Sequence, residues 1–157
     1  MYLCVLMSQI LKTVEIKNKR AFFEYSFIEK YTAGMVLKGT EIKSLRQGKA
    51  NLSDSHCVFH RGELYIRNLT ISEYEKAKHY NHEPLRERKL LLKASELKKL
   101  EKGLKDQSAT IIATRIFINE KGYAKLEIGL AKGKKLFDKR DDIKKRDSER
   151  EMQRKLK

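Results

Sequence analysis

Proline and cysteine are scarce in this chain: 157 residues hold one proline and two cysteines. Two cysteines, Cys4 and Cys57, do not make a disulfide framework, so a reducing cytoplasm is expected. No apolar run reaches the roughly 20 residues of a membrane span, and no strongly amphipathic basic helix offers to lie on a lipid surface. The opening MYLCVL is apolar, but it is too short for a signal core and has no basic flank before it. Met7 follows at once and is a second candidate start. Catalytic motifs are missing too: there is no Gly-x-Ser-x-Gly, no Walker-type loop and no Cys-x-x-Cys. Acid is the last shortage. Against 36 Lys and Arg stand 21 Asp and Glu, a net charge of +15. Such an excess opposes compaction by self-repulsion and calls for a polyanionic partner. With the lipid features absent, nucleic acid is the expected one.

The length suits one domain with a tail. Between residues 20 and 38 the aromatics Phe22, Phe23, Tyr25, Phe27 and Tyr31 read as strand, with a bend or bulge at Ala33-Gly34. GTEIKSLRQG, residues 39–48, reads as a short helix. Thr40 is its expected cap, Glu41 and Arg46 match its dipole, Ile42 and Leu45 share a buried face, and Gly48 stops it. Val58-Phe59, then His60-Arg61-Gly62-Glu63, then Leu64–Ile66 reads as a hairpin. Ile112, Ile116 and Ile118 alternate into Asn119-Glu120-Lys121-Gly122, and Ala124, Leu126, Ile128 and Leu130 alternate back, giving a second hairpin. RERKLLLKASELKKLEKG between them reads as helical, ending at Gly103. About six short strands with two or three helices predict a mainly β fold. A small closed or partly open antiparallel barrel with flanking helices is expected. The oligonucleotide-binding barrel is one such shape, and periodicity alone does not separate it from another small α+β sheet. The expected organisation is an N-terminal segment 1–17, a barrel domain 18–130 and a basic tail 131–157.

From Ala131 onward apolar residues are too few to build a core. Asp141 with Lys145, Asp142 with Arg146, and Glu151 with Lys155 are acid-before-base pairs four apart, each adding about 0.2–0.5 kcal/mol to a helix. Nucleation in water is costly, so the tail is expected to be disordered when free and to fold on a polyanion. Phe137 stands alone among Lys134, Lys135, Lys139 and Arg140. A ring so placed can stack on a base while the cations hold the backbone; the alternative is that it packs back on the barrel edge.

Metal chemistry finds little support. In His56-Cys57-x-x-His60, strand geometry puts the histidines on one face and Cys57 on the other, and His79-x-x-His82 has no partner cysteines. No metal or cofactor is expected, and the histidines are read as surface or RNA-adjacent. A nuclease using Glu41 or Asp54 with a divalent ion lacks a carboxylate cluster, so no enzyme is expected. RNA binding is better served. Asn18-Lys19-Arg20, then Lys43, Arg46 and Lys49, then Arg86, Arg88 and Lys89 are three basic clusters beside ordered elements. Glu41 among them is either a helix N-terminal acid or an acceptor for a base edge or ribose hydroxyl. A general structured-RNA-binding or ribosome-associated protein would share this charge.

GTEIKSLRQGKANLSDSHC, RERKLLLKASEL and IGLAKGKKLFDKRDDIKKRD resemble three signature blocks of the SsrA-binding protein family of bacterial trans-translation, and NKRAFFEY resembles its N-terminal block. The order and spacing match from about Asn18 to Arg150. The resemblance implies an oligonucleotide-binding barrel that is not an enzyme. It implies binding to the tRNA-like domain of transfer-messenger RNA (tmRNA, SsrA RNA) and entry into stalled 70S ribosomes, with elongation factor Tu and GTP arriving on the charged RNA. The protein would stand in for the missing anticodon arm and codon. By this likeness Lys19, Arg20, Glu41, Lys43, Arg46, Lys49 and Asn51 face RNA, with Leu91 and Lys93 of RKLLLK. Lys132, Lys134, Lys135, Phe137, Asp138, Lys139 and Arg140 match the tail motif used at the small-subunit decoding centre, where the tail becomes helical in the empty mRNA channel. Thr32 stands where the family often has an acid, and Lys93 where Asn or His is common. Ile112-Ala113-Thr114 lacks a frequent proline, and Phe137 falls where aromatics and His alternate.

Overall fold

The computed structural model describes residues 14–156. The readings of MYLCVL, Cys4 and the two candidate starts lie outside them. In chain order the elements are β1 (Glu15–Lys17), α1 (Lys19–Glu24), β2 (Tyr25–Met35), α2 (Gly39–Arg46), β3 (Ala50–Asn51) and β4 (His56–His60). There follow β5 (Glu63–Arg67), β6 (Thr70–Ile71), β7 (Arg88–Leu91), α3 (Ala94–Gly103), β8 (Ala109–Ile118), β9 (Ala124–Gly133) and α4 (Leu136–Lys155).

Six strands close a ring in the order β8-β4-β5-β7-β2-β9, with β9 returning to β8, and every neighbouring pair is antiparallel. This is the expected six-stranded barrel. β8 spends one edge on β9. Its other edge is divided: Ile111 and Ile112 pair with β4, while Arg115–Phe117 pair with β1. The small β3–β6 pair stands outside the ring. Closure requires bent strands, and the register breaks between Phe27 and Glu29 in β2 and between Ala113 and Arg115 in β8 supply bends. β2 runs unbroken through Ala33-Gly34, so the expected irregularity falls at Ile28 instead. Gly129 sits where the Phe27 ring crosses β9; a Cβ there would run into the ring. The first hairpin turns at Arg61 (φ 49°) and Gly62 (φ 78°), two left-handed residues that match the twist of the flanking strands.

The alternating residues of the two hairpins fill the barrel. Leu64, Ile66, Ile111, Ile116, Leu126 and Ile128 are fully buried, joined by Leu45 of α2 and Leu100 of α3. Two local readings change. Residues 19–24 form helix α1 rather than strand, despite Phe22 and Phe23, because Asn18 overrides aromatic propensity. Its Oδ1 accepts from Ala21 N (3.1 Å), while its Nδ2 donates to the carbonyls of Leu52 (2.8 Å) and Ala113 (3.0 Å). Arg88–Leu91 is strand β7, seated between β5 and β2, and the helix begins only at Ala94. The boundary expected at residue 130 falls inside β9, and β1 of the expected N-terminal segment belongs to the sheet.

The tail, expected to be disordered in the free chain, is helix α4 here. It buries no residue, so its helicity draws on its freedom from Gly and Pro, its acid-before-base pairs, and its root. There Lys134 N donates to Glu24 O (2.8 Å), Lys134 Nζ pairs with Asp142 (2.6 Å), and the Arg146 guanidinium lies 5.1 Å from the Phe23 ring centre.

Asn18 is buried with all its bonds inside the protein. Asn18→Ala removes a helix cap and two buried side-chain hydrogen bonds, to Ala113 O and to Leu52 O, the latter keeping Ser55 N (3.0 Å) and Ser55 Oγ (2.7 Å). We expect a loss of about 2–3 kcal/mol in urea unfolding; a loss within about 0.5 kcal/mol, typical of a surface position, would contradict this role.

Candidate nucleic-acid interface

Glu41, expected at the RNA face, is wholly buried, and so is Arg88. Their sequence neighbourhood predicts cation and acid on a surface, but the helix turns Glu41 inward beside Ser44 and Leu45. Its Oε1 accepts from Arg88 Nε at 2.9 Å, its Oε2 from Arg86 Nη2 at 2.6 Å, and Oε2 also takes the Lys38 backbone N–H at 2.7 Å. Arg88 reaches on to the carbonyls of Leu69 and Pro84. Burial alone pushes Glu41 up, but Arg86, Lys38 N–H and Arg88 outweigh it and hold the carboxyl below its ordinary value. Burial also pushes Arg88 down, yet a guanidinium keeps its proton. Neither side chain is free to meet a base. Both are corrected from contact residues to scaffold. A nuclease built on Glu41 fails for the same reason, and Asp54 is engaged by Arg20 at 2.8 Å. His82, read as surface or RNA-adjacent, is likewise buried, between Thr40 Oγ1 and Ile71 O, both at 2.9 Å. That bond takes Thr40 away from its expected capping role; Lys38 is the N-cap.

What the scaffold presents is a shallow open groove. It is lined by Met35, Ile42 and Arg46, by Leu91 at the end of β7, by Lys121 and Tyr123 of the β8–β9 turn, and by Lys125 at the start of β9. Arg46 is exposed, and Leu91 and Tyr123 are 51% and 66% exposed, too open for core residues. Cations beside an open aromatic and an aliphatic shelf can hold phosphates and receive a base. Lys121, Tyr123 and Lys125 escaped the reading of the sequence, although an aromatic directly after a basic hairpin turn was there to see.

The remaining expected cations are dispersed. Lys43 is exposed, with its ammonium 5.4 Å from the Tyr74 ring centre. Lys49 pairs with Glu75 and Lys89 with Glu63. Lys93 caps α3, its backbone N–H donating to Glu96 (2.9 Å). Asn51 accepts from Ser53 N (2.9 Å) and Ser53 Oγ (2.8 Å) in a turn. Lys19 is exposed, and Arg20 bridges Glu24 and Asp54 over a separate polar hollow lined by Asn18, Ser55 and His56. In the tail, Phe137 is 61% exposed, so it does not pack back on the barrel; Lys135 and Arg140 are exposed and Asp138 and Lys139 half-buried. Lys132 pairs with Asp106, whose carboxyl that ammonium and the Ser108 donors hold down at about 2. Cys57 points into the core, away from His56 and His60. Among the described residues no helix is long and apolar enough to cross a membrane, and no group of three or more His, Cys, Asp or Glu could hold a metal ion.

The family model of SmpB protein matches residues 15–157. An SsrA-binding protein of Cytophaga hutchinsonii is 60% identical over 146 residues, covering 93% of this chain and 95% of that protein. One from Phocaeicola vulgatus is 56% identical over 92% and 96% of the two chains, and one from Desulforudis audaxviator 50% identical over 91% and 92%. A solved structure described as "tmRNA-SmpB: a journey to the center of the bacterial ribosome" matches with a TM-score of 0.67 at 46% identity, covering 78% of this chain and 86% of that one.

Removing one member of a buried pair strands the other charge. Arg88→Met is expected to lose about 3–5 kcal/mol of stability by urea unfolding. A group held below its ordinary value stabilises the fold above the unfolded pKa and ceases to as pH falls through the folded one. The wild type therefore loses stability on acidification from about pH 5 toward pH 3, and Glu41→Gln, already without that charge, loses less over the same range. Equal acid sensitivity in the two would take Glu41 out of this role.

Proposed function

This chain belongs to the SmpB family, and we propose on that premise that it binds transfer-messenger RNA and works with it on the bacterial ribosome in trans-translation. The observation that carries the reading within the fold is the groove between α2, β7 and the β8–β9 turn. It joins three exposed or half-exposed cations, Arg46, Lys121 and Lys125, to an open Tyr123 ring and the Leu91 side chain. Cations supply affinity that falls with salt; an aromatic and a shaped apolar shelf supply preference for a folded RNA with accessible bases over regular duplex.

The groove takes the tRNA-like domain of that RNA. Arg46, Lys121 and Lys125 neutralise phosphates and Tyr123 stacks. Lys43, Lys49, Asn51, Lys89 and Lys93 extend the contact, and Arg86 has an exposed edge beside Val36 O. Lys19 and Arg20 serve a neighbouring strand. Glu41 and Arg88 touch no RNA and instead fix α2 against β7. The barrel, now drawn from β1 to the end of β9, is the RNA-binding unit, and α4 is the ribosome-engaging unit. α4 enters the small-subunit mRNA channel, where Phe137 stacks and Lys132, Lys134, Lys135, Lys139 and Arg140, with Asp138 in the first turn, meet the decoding centre. A helix that buries nothing in the free protein is free to be buried by a partner. Arrival with elongation factor Tu and GTP, a cytoplasmic location and the absence of any catalytic role follow from the same family likeness.

Binding of the purified chain to the tRNA-like domain, measured against an unrelated structured RNA of equal length over a salt series, tests the reading. A preference that persists as salt rises is expected, because base and shape contacts survive when counterion release fades. Two affinities that collapse together would leave a general structured-RNA binder.

A chain ending at Lys135 keeps β9 whole and its backbone tie to Glu24. It is expected to keep the RNA affinity of the full chain and to lose tagging of stalled translation products. Phe137→Ala is expected to lower the tagging rate with RNA affinity unchanged, base stacking being worth about 1–3 kcal/mol. Parallel loss of RNA binding and tagging would refute the division between barrel and tail.

A further inference from the structure

The segment between β6 and β7, residues 72–87, contains the sequence KAKHY at 76–80, and no part of the RNA reading above uses it. Tyr80 is 91% exposed, the most open large hydrophobic side chain among the described residues. Lys76, Lys78 and His79 beside it are exposed as well, and the five residues contain no acid. An unpacked ring on a loose loop would signify little. This loop is braced at every turn. Asn81, next to the ring, accepts from Tyr74 N (3.0 Å) and donates to Tyr74 O (3.0 Å) and Ala77 O (3.3 Å), tying the loop across itself. His82 is buried and bonded to Thr40 and Ile71. Ser72 N donates to Lys49 O (3.1 Å) and Ile71 N to Pro84 O (3.1 Å). Glu75 is taken up by Lys49 and Glu87 by Arg67, so these two loop carboxylates are neutralised away from the tip.

The bracing also places the loop. His82 reaches Thr40, Arg86 reaches Glu41 and the Lys43 ammonium lies over Tyr74, all on α2, the helix that carries Arg46 to the groove. A fixed backbone beside the RNA-facing helix holds out an aromatic ring with two lysines within four residues. A rigid two-torsion ring gives contact area at little entropic cost, and flanking ammonium groups hold the strand on which a base is splayed.

We propose that Lys76–Tyr80 is a further nucleotide-binding element. Tyr80 stacks on an unpaired RNA base, and Lys76 and Lys78 take the phosphates beside that base. The proposal rests on the RNA-binding reading above. The base belongs either to the tRNA-like domain or to ribosomal RNA, and the test has an arm for each.

The chain contains no tryptophan, so full-length Tyr80→Trp carries a single indole. Titrating it with the tRNA-like-domain transcript in one arm and with purified 70S ribosomes in the other should quench its emission in at least one arm. In that arm Tyr80→Ala should bind about 5- to 150-fold more weakly and Tyr80→Phe about as the wild type does. Lys76→Ala with Lys78→Ala should lower the salt slope by about two. With nine-tenths of the ring in solvent, none of these variants should unfold the protein. Unquenched emission in both arms, with wild-type affinity for Tyr80→Ala, overturns the proposal and leaves the RNA reading standing. A wild-type chain that binds neither RNA overturns that reading, and the proposal falls with it.

Discussion

The ion pair of Glu41 with Arg88 is the contact on which the rest of the groove's architecture depends. One carboxylate receives the Lys38 backbone N–H at the start of α2, Arg86 at the end of the long loop, and Arg88 at the start of β7. Arg88 also donates from its two terminal nitrogens to the carbonyls of Leu69 and Pro84. Three stretches of chain, residues 38–41, Leu69 and residues 84–88, are thereby locked to one buried ion pair. A hydrophobic substitute could fill the space, and buried pairs are often no better than such a substitute in free energy. It could not specify which end of α2 meets which strand. Directional bonds do that, and the register they set decides where Arg46 and Leu91 stand relative to the β8–β9 turn.

Barrel and tail obey different physics. The barrel buries continuous ladders of Ile and Leu and closes on itself, so it has no open sheet edge along most of its strands. α4 has no buried side chain at all. Its order comes from local helix terms and from its root, where Lys134, Asp142, Phe23 and Arg146 meet. Helices held that way open at little free energy. Such a segment can be delivered on a stable module and then reshaped by a second, larger partner without disturbing the first interface.

The barrel was legible in the sequence wherever a period of two was unambiguous. Ile112 to Leu130 read as a hairpin, and it is one; Val58 to Ile66 likewise. α1 was missed because Phe22 and Phe23 carry strand propensity, while the deciding residue, Asn18, acts through bonds to Leu52 and Ala113 that no local window contains. β7 was missed because RERKLLLKASEL joins a strand to a helix with no Gly or Pro between them. The site was legible as charge but not as depth. Composition marks Glu41 and Arg88 as polar, and only the folded chain turns them inward. His82 failed for the same reason. Lys121 and Tyr123 lay in a turn, and Lys125 on the strand after it, that were read for their geometry alone.

Where the acids go explains why so much positive charge remains available. Glu24 and Asp54 are held by Arg20, Glu63 by Lys89, Glu75 by Lys49, Glu87 by Arg67, Glu127 by Arg115 and Asp106 by Lys132. These seven carboxylates are thus matched to basic partners within the barrel, most of them at its surface, where each pair contributes little to stability. Their effect is on the field instead. A neutralised acid repels phosphate less, so the cations of α2, the β8–β9 turn and the tip at Lys76 and Lys78 meet an approaching polyanion with less opposition from these seven acids. Salt weakens both the pairs and that attraction. On the reading proposed above, what then distinguishes one RNA from another is the uncharged part of the surface, the rings of Tyr123 and Tyr80 and the side chain of Leu91, whose contacts salt does not screen.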